Sequence, residues 1–124
     1  MLRLVYGSRR GLRRVLEEAP RPRLIVGCFM VGAAQEGDYV YYVLDPFDFD
    51  AWDLKPALSD VGSVVVEAQP FCLNTSTKAK LRIELLRLMG LTEAPILVLS
   101  PPRASGGGIR PAFTLRGWRA EKVE

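Results

Sequence analysis

The chain contains no histidine. Catalytic zinc sites nearly always draw on that residue, and serine and cysteine hydrolases normally use it as their base. Both classes are largely closed to these 124 residues. Cysteine is scarce: Cys28 and Cys72 are too few for a four-thiolate metal centre within one chain. Two buried thiols are the expected state, and a disulfide between them is the alternative suited to a hyperthermophile cytosol. No apolar run approaches the roughly 20 residues that span a bilayer. The opening stretch MLRLVYGSRRGLRR has no signal-peptide core and no small-residue cleavage site, so a cytoplasmic protein is expected.

What is present is ordinary for one globular domain: 48% hydrophobic and 25% charged residues, enough length to bury a single core. The net charge of +3 is mild, and Arg supplies 13 of the 17 basic residues. Arg9, Arg10, Arg13 and Arg14 cluster near the start, and Arg103, Arg110, Arg116 and Arg119 near the end. Solvated faces account for such clusters as readily as a nucleic-acid footprint does, because acidic residues are mixed through the chain.

Residues 2–6 read as a strand. Ser8 is a fair N-cap for a helix over 9–18, with Leu12, Val15 and Leu16 on its apolar stripe. The GSRRG step is a weak phosphate-loop candidate, lacking the Lys-Ser/Thr pair. Pro20 and Pro22 end the helix. Residues 23–33 form a nearly continuous apolar run, expected of a strand buried on both faces. A turn at 35–38 then sends strand 39–45 back as a hairpin. Asp45, Asp48, Asp50 and Asp53 do not follow the EF-hand spacing and read as turn and cap residues, Asp50 capping a helix over 51–59. A central strand over 63–69 leads to a helix over 76–89, with Leu81, Leu85, Leu88 and Met89 inward, Lys78, Arg82 and Glu84 outward, and Gly90 as C-cap. Strand 95–100, a Pro/Ser/Gly loop over 101–108, and a terminal hairpin of 109–116 and 118–123 complete the chain. In that hairpin Phe113 and Leu115 face one way, Thr114 and Arg116 the other.

The stretch SVVVEAQPFCLNTSTKAK, residues 63–80, organises the rest. Glu67 and Gln69 stand two apart at a strand end, so both point to one face, and Pro70 turns the chain away. A ligand site at a strand end is built this way, and so is any strand that leaves a sheet.

Taken with the element order, these residues resemble the JAB/MPN domain family, the fold of JAMM-type zinc isopeptidases. VVVEAQP looks like the family's strand ending in H-x-H-P, which sets Glu67 and Gln69 in the places of the two His ligands. Counting from Gln69, the family's Ser falls on Thr77 and its ligand Asp on Lys80. PRLIVGCFMVG resembles the segment that follows the family's catalytic Glu, which would fall near Leu24 or Ile25. PILVLSPPRASGGGIRPAFTLRGWRAEKVE looks like the family's last strands, so the resemblance covers about residues 9–124.

The resemblance implies an α/β (α+β) fold, a single domain over 1–124 with a mixed β-sheet flanked by helices in cytidine-deaminase-like layering. It also implies a lost metal site, with Glu67, Gln69, Thr77 and Lys80 as its vestigial positions and no metal or cofactor. An ion pair between Glu67 and Lys80 in place of the metal, and two side chains at a solvated rim, are equal alternatives. The function implied is that of a non-catalytic scaffold or protein–protein interaction module, paired with a relative or with itself. Two other classes stand beside it. Glu17/Glu18, Asp45 and Glu67-x-Gln69 follow the order of a PD-(D/E)xK Mg²⁺-dependent nuclease. Alternatively, Arg103, Arg110, Arg116 and Arg119 with Phe113 and Trp118 form a nucleic-acid-binding surface that tracks phosphates and stacks bases.

Overall fold

A computed structural model describes residues 1–27, 34–43, 49–68, 75–100, 111 and 113–124. The elements are β1 (Leu2–Gly7), α1 (Arg9–Glu18), β2 (Arg23–Gly27), β3 (Tyr39–Tyr42), α2 (Ala51–Leu58), β4 (Ser63–Glu67), α3 (Thr75–Leu91), β5 (Ile96–Ser100) and β6 (Ala120–Val123). The strands form one sheet in the order β3-β2-β4-β5-β1-β6, and every pairing in it is parallel. The chain is an α/β protein. No helix among the described residues is long and apolar enough to cross a membrane.

Side chains alternate across the pleat, which gives the sheet two cores. Leu24, Val26, Val64, Val66, Ile96 and Val98 face α2 and α3, meeting Leu54, Leu58, Leu81, Leu85 and Leu88. Val5, Ile25, Val65, Leu97 and Leu99 face α1, meeting Leu12 and Leu16. Phe113 and Leu115, which precede β6, join the α2/α3 side. A single crossover handedness demands this split: connections running one way across the sheet pass over one face, those running back pass over the other.

The local elements follow from their ends. Ser8 accepts a hydrogen bond from the Gly11 N–H and starts α1, and Asp50 accepts one from the Trp52 N–H and starts α2. Gly90 is not a cap. The helix runs through it to Leu91, and its φ is not positive.

The two hairpins and the mixed sheet are corrected. β3 runs parallel to β2, with Leu24 beside Tyr39 and Gly27 beside Tyr42. The reason is an ion pair between the first residue of β2 and the residue just before β3. Arg23 donates from Nε to Asp38 Oδ1 at 3.0 Å and from Nη2 to Asp38 Oδ2 at 2.5 Å. To make that contact the chain must return to the beginning of β2 before β3 starts. At the other edge β6 lies parallel to β1, Leu4 beside Ala120. Residues 113–119 keep the alternation expected of them, Phe113 and Leu115 buried, Thr114 and Arg116 exposed, but they form no strand. β6 seats closely: Gly7 has φ +154°, and a Cβ there would lie 2.0 Å from the Val123 carbonyl oxygen.

Candidate functional site at the carboxyl ends of β2 and β4

The neighbours β2 and β4 send the chain in opposite directions. From β2 it goes outward to β3, and from β4 it goes through α3 to β5. Where adjacent parallel strands part in this way, a crevice opens outside their carboxyl ends, and α/β proteins bind ligands there. Glu67, the last residue of β4, sits at that point.

Its side chain points to the α1 face, two residues on from Val65. It is only 6% exposed, uncommon for a carboxylate, since burying a charge is costly. Gly27, the last residue of β2, makes room for it. A Cβ on Gly27 would stand 2.9 Å from both Cβ and Oε1 of Glu67. Gly27→Ala should therefore cost about 1–3 kcal/mol through overpacking. Urea unfolding checks this, and a change below about 0.5 kcal/mol would contradict the close approach.

The other face of the same edge is also polar. Ser100 ends β5 and is buried beside Tyr6 in register. Thr77, in the first turn of α3, is buried, and Lys80, one turn on, is half-buried. Thus Glu67, Thr77 and Lys80 come from the two elements that flank one end of the sheet. Glu67 points to the α1 face, and α3 packs against the other. Gln69 lies outside the described residues, as do Cys28, Cys72, Asp45, Asp48, Arg103 and Arg110. Among the described residues no three Cys, Asp or Glu side chains are grouped so as to hold a metal ion.

The aromatic residues of the proposed nucleic-acid surface are placed for packing. Phe113 is buried, with the Arg82 guanidinium 5.6 Å from its ring centre, and Arg82 Nε also donates to the Thr114 carbonyl. Trp118 is half-buried against the main core. The Phe113 ring is closed to a stacked base, while Arg116 and Arg119 are exposed.

Glu84 departs from the outward position its charge predicts. It is 2% exposed, not outward. Its Oε1 accepts from the Ala51 N–H at 2.8 Å, which gives the start of α2 a second acidic partner, and its Oε2 accepts from Arg87 at 2.9 Å.

Comparison of this chain with protein-family models, characterised proteins and solved structures finds no match.

Proposed function

We propose that this protein is a ligand-binding α/β domain whose site is the crevice between the carboxyl ends of β2 and β4. The buried carboxylate of Glu67 at the point where those strands part is the observation that carries this reading. A carboxylate at a strand end recognises hydrogen-bond donors, vicinal sugar hydroxyls above all. The amino end of α3 follows β4 on the same edge and favours negative charge. A ligand joining hydroxyls to an anionic group, as a nucleotide does, suits both. Under the JAMM resemblance Glu67, Gln69 and Lys80 stand in place of His, His and Asp, which argues against that family's zinc-dependent hydrolysis.

Titration calorimetry with a panel of nucleosides and nucleotides tests the proposal. At least one should bind, and Glu67→Gln should weaken it about tenfold or more, roughly the loss expected on removing a charge-assisted hydrogen bond. If the whole panel fails to bind, or if binding is indifferent to Glu67→Gln, the crevice is not the site.

Membership of the JAB/MPN family is also a proposal. It is supported by Glu67, Thr77 and Lys80 standing on elements at one end of the domain, and the all-parallel pairing of the described strands departs from the mixed sheet it implies. A second role, protein–protein interaction, is favoured by large apolar side chains left in solvent. Tyr39, Val40 and Tyr42 lie on β3, and Ile83 and Leu86 on the outer side of α3.

A further inference from the structure

The two edges of the sheet are unlike. β6 carries Glu121 and Lys122, and Arg3 of β1 pairs with Glu121 at 3.0 Å. Charges of this kind guard an edge strand against unwanted pairing. β3 reads Tyr39-Val40-Tyr41-Tyr42 and has no charge, no proline and no bulge. Among the described residues no strand lies beyond it.

Backbone parity fixes what that edge offers. The Val43 N–H donates to the Gly27 carbonyl on β2 at 2.8 Å. In a parallel pair each residue sends its N–H and C=O the same way, and alternate residues point to opposite sides. Tyr39 and Tyr41 therefore turn their peptide groups toward β2, as Val43 does. Val40 and Tyr42 turn theirs outward.

We propose that β3 pairs antiparallel with β3 of a second copy of this chain, about a two-fold axis at Tyr41. In this register each Val40 stands opposite Tyr42 of the second copy, and the two exchange both N–H···O bonds, so all the outward peptide groups of the strand are satisfied. Placing the axis at Val40 instead would oppose Tyr42 to Asp38, whose N–H already donates to the Gln35 carbonyl.

The side chains agree with the backbone. Val40 and Tyr42 share a register with Ile25 and Gly27, so both project on the α1 face, 48% and 54% exposed. Pairing brings them together as β-branched and aromatic cross-strand neighbours, a stabilising combination. On the opposite face Tyr41 stays with its own copy, packed against the main core with its hydroxyl donating to Asp53 at 3.3 Å. A second copy is the occupant because pairing of like edges closes at two. Pairing of β3 with β6 would leave a free edge of each kind and propagate, and the charges of β6 oppose it. The inference rests on the interaction reading and supplies its partner; the crevice at Glu67 does not depend on it.

Light scattering on the intact protein, from micromolar to millimolar concentration, reads the dimer directly. A reversible, concentration-dependent dimer is expected. Val40→Lys should raise its dissociation constant at least about tenfold by burying an unpaired charge, while the circular-dichroism melt, taken at a concentration where both proteins are monomeric, should not change because the site is exposed in the monomer. The double variant Val40→Lys, Tyr42→Glu tests the register. It sets the new lysine opposite the new glutamate twice over, and the dimer should return. A monomer at every concentration overturns the proposal, including one that takes up an added β-strand peptide. So does a dimer indifferent to Val40→Lys. Failure of the double variant to recover excludes the axis at Tyr41. Calorimetry of the same variants against the nucleotide panel keeps the crevice reading separate, since its outcome should not follow the dimer.

Discussion

Arg23→Ala is expected to lower the unfolding free energy by about 3–5 kcal/mol, a large part of the stability of a domain this size. The guanidinium is 1% exposed and every branch of it is engaged. The Asp38 carboxylate takes two of its N–H groups, and Nη1 donates to the Leu16 carbonyl at the end of α1, 2.8 Å away. One side chain thus joins β2, α1 and the approach to β3. Its removal strands a buried carboxylate left with backbone partners, the Gln35 N–H at 2.9 Å and the N–H of residue 23. Arg23→Lys should recover part of the loss, since an ammonium keeps the charge but not the bidentate fork. Equilibrium urea unfolding measures both, and an alanine cost below about 1 kcal/mol would contradict this account.

The same contact sets an acid limb. The hydrogen bond from Arg23 holds the Asp38 carboxyl below its ordinary value of 3.8, with the Gln35 N–H and the Arg23 charge adding to it and desolvation opposing. A carboxyl depressed by folding contributes stability above its unfolded pKa and loses it as pH falls through the folded one. The contribution should be complete above roughly pH 5 and fade below it, and Arg23→Ala should remove the larger part of that pH dependence, leaving the part that the backbone N–H groups supply.

Glu84→Ala should cost about 2–3 kcal/mol, and Glu84→Gln no more than about 1 kcal/mol. Alanine leaves the Ala51 N–H, in a fully buried residue, with no acceptor, and takes the anion from the start of α2. Glutamine keeps the acceptor and loses only the charge shared with Arg87, itself half in solvent. Amide exchange at Ala51 reports the site: protection should fall sharply in the first variant and persist in the second. Equal costs for the two would mean that the hydrogen bond contributes nothing. Two positions further along α3, Leu86 is exposed, and substitution there should stay within about 0.5 kcal/mol.

Much of this was legible in the chain because local chemistry decides it. Ser8 and Asp50 cap as their side chains require. The runs at β2, β4 and β5 are apolar at consecutive positions, the mark of strands covered on both faces. That mark also signals parallel pairing, and the hairpin reading overrode it, because a turn at 35–38 followed by YVYY looks like a returning strand. What reverses the reading is a bond between Arg23 and Asp38, and nothing local announces it. Glu84 was within reach. It stands three residues after Leu81 and four before Leu88, on the buried stripe by spacing, and its charge hid it. The importance of Glu67 was visible as a polar strand end, but its place where β2 and β4 part depends on strand order, which no stretch of sequence contains.

The strand that comes first in this sequence is completed by the two that come last. β1 lies between β5 and β6, Leu2 beside Ile96 and Leu4 beside Ala120. Both of its partners lie more than ninety residues further along, so neither side of β1 is covered by anything near it in sequence. Contacts of that separation form slowly, and until they do Leu2, Leu4 and Val5 are apolar surface open to the wrong strand.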